Sequence, residues 1–376
     1  MHRADSPAST PTRRSERRIR RLWVAGLGAV VAAGAIAIPI GSSASGQSPN
    51  EFTQTNLISD IPGVARVTDP NLVNPWGQAT SATSPLWISD NNGNVSTFYN
   101  GGVNGSLPTK VPLTVSIPMG APTGDVFNAD SGGFMVTTAK GTAPANFIFD
   151  SESGVISAWS GAVSGSAASA EFASNRAVFK GIAMASTGGN TFLYAADFSE
   201  GTVDVFNAQW QRVVIPGAFQ DSQIPKGFAP FNIQELNGDL YVSYAKQDPN
   251  KQNDVAGAGL GFVDVYDNTG TLLTRLISGG DLNAPWGMAI APAGWGAFGG
   301  DLIVGNFGDG AIDVYDPTTG AELGPLTNTD GNPIVINGLW GLRFGDGTFG
   351  TPNDLVFSAG IGDESHGLVG EITPAS

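Results

Sequence analysis

The stretch Asp301-Leu-Ile-Val-Gly-Asn-Phe-Gly-Asp-Gly-Ala-Ile-Asp-Val-Tyr-Asp316 decides how the rest of the chain is read. Two short apolar runs flank a turn at Gly308-Asp309-Gly310, the pattern of a β-hairpin. Its second half, Gly310-Ala-Ile312-Asp-Val-Tyr315, follows a rule: Gly, any residue, Val or Ile, two residues, then a large apolar one. The rule recurs at Gly93-Val95-Phe98, Gly154-Ile156-Trp159, Gly201-Val203-Phe206, Gly261-Val263-Tyr266 and Gly367-Val369-Ile372, at intervals of 47 to 61 residues. Self-similarity at such a period is the signature of a repeat architecture.

Each unit repeats a layout that is clearest in the fifth. An Asn283-Ala-Pro-Trp-Gly287 entry leads into the apolar run Met288–Ala291, then come Asp301–Val304, Ala311–Tyr315 and a weaker run near Glu322–Leu326. The first and sixth units copy the entry as Asn74-Pro-Trp-Gly77 and Asn337-Gly-Leu-Trp-Gly341. The other three enter through Pro122-Thr-Gly124, Lys180-Gly-Ile182 and Phe228-Ala-Pro-Phe-Asn232. Six units of four strands describe an all-β, six-bladed β-propeller over residues 52–373. The sixth unit runs out of chain before its fourth strand, and Phe52–Ser59 precedes the first unit and belongs to none. That orphan strand is expected to complete the last blade, which closes the ring and removes an open sheet edge. The recurring glycine is expected where a tight turn needs positive φ.

Composition agrees with short strands and tight turns. The 376 residues include 52 Gly and 24 Pro, and 14% are charged. Seven of the 18 basic and two of the 33 acidic residues fall in 1–50; residues 51–376 therefore hold 11 basic against 31 acidic, a formal −20. Such a surface repels phosphate backbones, so nucleic acid is not an expected partner. Cysteine is absent, which excludes disulfides, thiolate nucleophiles and Cys-ligated metal centres. His366 is the single histidine outside the leader, so no site can rest on two.

Residues 1–46 read as an export signal: a basic segment with seven Arg, the apolar run Leu22–Ile40, then Ser42-Ser43-Ala44 as a cleavage site. The same run retained as an anchor is the alternative, and the Arg pairs hint at twin-arginine export with poorly matching flanks. Residues 47–51 read as a linker and 374–376 as a tail. The expectation is an exported monomer, secreted or held in the cell envelope, without stable membrane insertion once the signal is removed.

The third and fifth units, Leu193–Phe206 and Leu302–Tyr315, resemble NHL-type propeller repeats. Asn71–Gly77, Tyr244–Pro249 with Gly259–Phe262, and Ser358–Gly367 resemble a narrower family of exported propellers, some of which carry a PEP-CTERM sorting tail. No such tail ends this chain, and the resemblance implies no catalytic residues.

In a propeller the connection entering the inner strand and the turn between the second and third strands share one face. That geometry gathers Asn74, Trp76, Asp90, Asn91, Asn283, Trp286, Asn306, Asp309, Asn337 and Trp340 at one end of the channel. Two insertions join them: Ala245–Ala258, carrying Lys246, Asp248 and Asp254, and Gly360–His366, carrying Asp363, Glu364 and His366. Each has a structural alternative: the Asn–Trp entries as turns with Trp packed between blades, Asp90, Asp197 and Asn306 as turn stabilisers, and the loop residues as solvated side chains. The functional expectation is a non-catalytic binding module for a glycan, peptide or envelope component. The alternative is a calcium-dependent hydrolase of lactonase or esterase type, with Asn74, Asn128, Asn232, Asn283 and Asn337 as channel oxygen donors.

Overall fold

Gly310 and Gly367 occupy the same place in the repeat for different reasons. Gly310 adopts φ +78, as a tight turn requires. Gly367 lies outside the left-handed region, as do Gly93 and Gly261, which corrects the expectation of positive φ throughout. At Gly367 a Cβ would strike the Leu72 carbonyl and stand 2.9 Å from Pro75 Cδ, so it is the approach of the next blade that excludes a side chain.

The computed structural model describes residues 50–375. They form six four-stranded antiparallel blades, each built outward from an inner strand. The inner strands are Pro75–Ala79, Pro122–Phe127, Phe179–Thr187, Phe228–Leu236, Pro285–Ile290 and Leu339–Phe344, for blades 1 to 6. Each touches the next, and the sixth returns to the first, so the ring is closed.

Blade 5 shows why the strands are apolar on both faces. In the hairpin Leu302–Asn306 and Ile312–Tyr315, the residues Ile303, Ile312 and Val314 join the cluster shared with blade 6. Leu302, Val304 and Tyr315 join the cluster shared with blade 4. A middle strand buried on two sides loses the polar alternation of a half-exposed sheet. Blade 2 departs from the repeat by an extra hairpin, Met135–Thr138 with Gly141–Pro144, inserted between its first two strands.

The N-terminal strand Glu51–Ser59 pairs antiparallel with the last strand, Leu368–Pro374, from Phe52↔Pro374 to Ser59↔Leu368. The first described strand thus completes the sixth blade, as counting strands predicts. Phe52 is fully buried, 4.5 Å from the Trp295 ring and stacked on Phe298 at 6.1 Å. Burying such a side chain stabilises by about 1.5–3 kcal/mol. No helix among the described residues is long and apolar enough to cross a membrane. The leader, its cleavage site and the linker's first residues lie outside the described residues.

Candidate functional site

Where each inner strand begins, its side chains converge on the channel axis. Pro75 pairs with Asp90 and Pro285 with Asn306, so strand entries and second-to-third-strand turns do share a face. The residues that launch three of the inner strands, Asn74, Ala284 and Gly338, are all left-handed (φ 51, 48 and 69). The turn they make places the next tryptophan inward. Trp76, Trp286 and Trp340 are accordingly buried, at 2%, 4% and 1% exposure, and face one another rather than solvent. Trp76 stacks on Trp340 at 3.4 Å, and Trp286 stands edge-on to both at 6.0 and 5.8 Å. Phe231 and the stacked Phe307 complete an aromatic plug around Trp340. Such offset and edge-to-face pairs add roughly 0.5–1.5 kcal/mol each beyond their burial.

A polar network spans the channel mouth at this plug. Lys180, only 3% exposed in its side chain, pairs with Glu152. Its ammonium stands 5.3 Å from the Trp76 ring centroid, and its backbone carbonyl accepts from Trp286 Nε1 at 2.8 Å. A buried cation over a tryptophan face gains both pairing and cation–π attraction. Glu152 Oε2 accepts from Asn91 at 3.1 Å, and Asn74 Nδ2 donates to Glu364 Oε1 at 3.0 Å. Trp340 Nε1 donates to Asn74 Oδ1 at 3.2 Å. Burial raises the Glu364 carboxyl, opposed by its bond from Asn74. Asp254 is pushed up to about 6 by burial, opposed by the charge of Lys180.

The other predicted residues are placed as follows. Asp90 is fully buried and accepts from Thr97 at 2.7 Å, with its carboxyl raised well above the usual range by burial. Asp197 accepts from the Val178 and Glu200 amides, and Asn306 holds Asn283 N and donates to Asp313. Asp197 and Asn306 serve the turns, whereas Asp90 is tied to the facing strand and its Oδ1 has no partner among the described residues. The Ala245–Ala258 insertion folds on itself, with Gln247 paired to Asp254 and Asp248 Oδ1 accepting from Gln252 N at 2.9 Å. Lys246 lies 5.4 Å from the Phe228 ring centroid. Asn283 donates to Asp309 at 2.9 Å and accepts from Gly257 N at 2.6 Å, and Asn337 is exposed. Of the loop triad, only Asp363 is a solvent-exposed side chain without a partner among the described residues; His366 meets Asp60 at 2.7 Å and Glu364 is tied to Asn74.

The five asparagines considered as calcium donors do not converge. Asn128 folds onto the carbonyls of Asp130 and Ala145 beyond the far end of its strand, and Asn232 donates to Trp286 O at 2.7 Å. Among the described residues no group of three or more His, Asp or Glu is placed to hold a metal ion.

Beside the plug a cleft of about 590 Å³ is lined by Phe307, Asp309, Asn337, Asp363 and Glu364. Phe307 is half-buried, so part of its ring faces the cleft. Phe307, Lys180 and Glu152 escape sequence reasoning. A lysine at the blade-3 entry, where the other blades carry Trp76, Thr123, Phe231, Trp286 and Trp340, is the one signal that could have raised Lys180.

No family model matches the chain. Virginiamycin B lyase from Staphylococcus aureus is 13% identical over 86% of this chain and 99% of its own, with a TM-score of 0.49. The nidogen/laminin complex is 13% identical over 72% of this chain and 84% of the matched one, with a TM-score of 0.44. No residue role is carried over from either. Two proteins of Acanthamoeba polyphaga mimivirus are far more similar. Uncharacterized protein R648 is 33% identical over 325 residues, which is 84% of this chain and 78% of that one. Uncharacterized protein L690 is 33% identical over 324 residues, 84% of each. At this identity and coverage, the chain belongs to the family of β-propeller proteins that includes R648 and L690.

Proposed function

We propose that the protein is an exported, non-catalytic propeller that binds a neutral glycan in the cleft beside the aromatic plug. The carrying observation is Phe307: a partly exposed ring, stacked at 3.8 Å on Trp340, with Asp309, Asn337, Asp363 and Glu364 around it. A flat apolar ring takes the C–H face of a sugar, while carboxylates and amides take its hydroxyls. Rigid blades hold the ring and short loops supply the polar groups. Support for export comes from the leader layout of residues 1–46.

Isothermal titration with neutral hexose oligosaccharides tests this. Binding is expected, with Phe307→Leu and Glu364→Gln each weakening it at least about tenfold, roughly 1.4 kcal/mol. The glutamine keeps an oxygen for Asn74, so the E364Q fold should persist. Failure of every saccharide to bind, or F307L binding as the wild type does, overturns the proposal. So does selective capture of peptides in its place.

A further inference from the structure

The opposite end of the channel is open. A cavity of about 510 Å³ lies between the far halves of all six inner strands and narrows inward to a neck lined by Gln78, Asp125 and Gln234. Asp125 is 6% exposed, yet neither of its carboxylate oxygens has a hydrogen-bond partner. Gln78 Nε2 donates to Gly341 O at 3.2 Å and Ser358 Oγ at 3.0 Å, which fixes the amide and leaves its Oε1 buried without a partner. Two residues that line the neck therefore hold three unsatisfied acceptor atoms. A buried carboxylate without a donor is expensive, and such a group calls for an explanation.

Arg343 lines the same cavity, with Nη2 donating to Thr80 Oγ1 at 2.7 Å. Its charge acts on Asp125, and Asp346 acts on Arg343 from its own blade. Among the described residues Arg343 forms no ion pair with either. The reason for the separation from Asp125 is topological. Asp125 sits on the inner strand of blade 2 and Arg343 on that of blade 6, with the strand of Gln78 between them. Of the remaining titratable neighbours, Asp150 Oδ1 accepts from Thr123 Oγ1 and Gly124 N while its Oδ2 is buried without a partner, and Glu235 accepts from Gly238 N.

We propose that this end of the channel binds a small zwitterion, a free amino acid, with its ammonium at Asp125 and Gln78 and its carboxylate at Arg343. Burial alone raises the Asp125 carboxyl, and an ammonium beside it favours the ionised form. The three donors of the ammonium then match the two oxygens of Asp125 and Oε1 of Gln78. The guanidinium fork matches a carboxylate. A bare cation would face the unfavourable charge of Arg343, and a bare anion that of Asp125. Ile182, Met288 and Leu342 offer apolar wall for a side chain, and the volume lies in the range of small-molecule sites.

Thermal shift and calorimetric titration of the full chain test this, using the common free amino acids as probes at millimolar concentration. Butylamine, butyrate and calcium chloride serve as probes carrying one kind of charge. At least one amino acid is expected to raise the Tm and to bind about tenfold or more tighter than any single-charge probe. Asp125→Asn and Arg343→Met should each weaken that binding about tenfold or more. The unliganded D125N protein should melt no lower than the wild type, which separates lost binding from lost folding. The proposal is overturned if no amino acid binds, if butylamine or calcium binds as tightly, or if both variants bind normally.

Discussion

At one end of the channel Trp76, Trp286 and Trp340 close against one another. Lys180, Glu152, Asn74 and Glu364 pair around them, although Trp76 Nε1 has no partner among the described residues. At the other end Asp125 and Gln78 present three buried oxygens with no partner. Both ends are made by the same six inner strands, so the contrast owes nothing to the fold. It comes from which side chain follows the entry turn and which follows two or three residues later. The closed end spends its chemistry on holding the blades together, whereas the open end leaves chemistry unspent. Trp76, Trp286 and Trp340, conspicuous in the sequence, are therefore taken up by packing, and the half-exposed Phe307 and the unsatisfied groups of the open end are better guides to a ligand.

The largest test of this contrast is Trp340→Ala. It removes the centre of the plug and leaves Asn74 Oδ1 without its donor, and should lower stability by about 3–5 kcal/mol. Denaturant unfolding checks it; a loss below about 1 kcal/mol would mean that the plug does not hold the ring. Next is Glu152→Gln, which strands the buried Lys180 ammonium and should cost about 3 kcal/mol. Adding Lys180→Met should restore much of that, and a double-mutant cycle reads the coupling.

A smaller effect concerns pH. Burial raises the carboxyls of Asp90 and Asp125 well above the usual range, and those of Asp150 and Asp313 to about 7. A raised folded pKa means that the folded chain holds protons the unfolded chain has released. Its favourable contribution is whole below the unfolded pKa of about 3.9 and is lost as pH rises toward the folded pKa. The Tm should therefore fall as pH is raised from about 4 to 8, with each group adding at most about 1.4 kcal/mol per unit. D125N should flatten part of that slope, whereas a Tm that climbs steadily with pH would contradict burial as the controlling cause. The smallest effect is that of Asp363→Asn at the cleft. Asp363 is exposed and left-handed at φ 52, a conformation asparagine tolerates, so stability should change by less than about 0.5 kcal/mol. A larger loss would show that the Gly360–His366 loop supports the plug.

The blades were legible because the Gly-x-Val/Ile rule and the strand period are local, and the ring closure because a blade with three strands must find a fourth. The face assigned to Asn74, Asp90 and Trp340 was legible for the same reason. What each residue does there was not. Asn74 meets Glu364 across 290 positions, and Trp286 meets the Lys180 carbonyl across 106. Such partners share no spacing in the chain, because the ring joins every inner strand to the same axis. Asp125 and Gln78 stood in unremarkable strands, and their lack of partners is a property of three neighbouring blades that no single segment displays.

The pairing of Glu51–Ser59 with Leu368–Pro374 also sets a schedule. The first strand is made early, yet its partner emerges only after roughly 300 further residues, which at about 5–20 residues per second is roughly 15–60 s of synthesis. For that interval the segment around Phe52, Leu57 and Ile58 has no sheet to join, and it must be kept from pairing with strands of other chains. Whatever shields that waiting strand governs how much intact protein a cell obtains from each message.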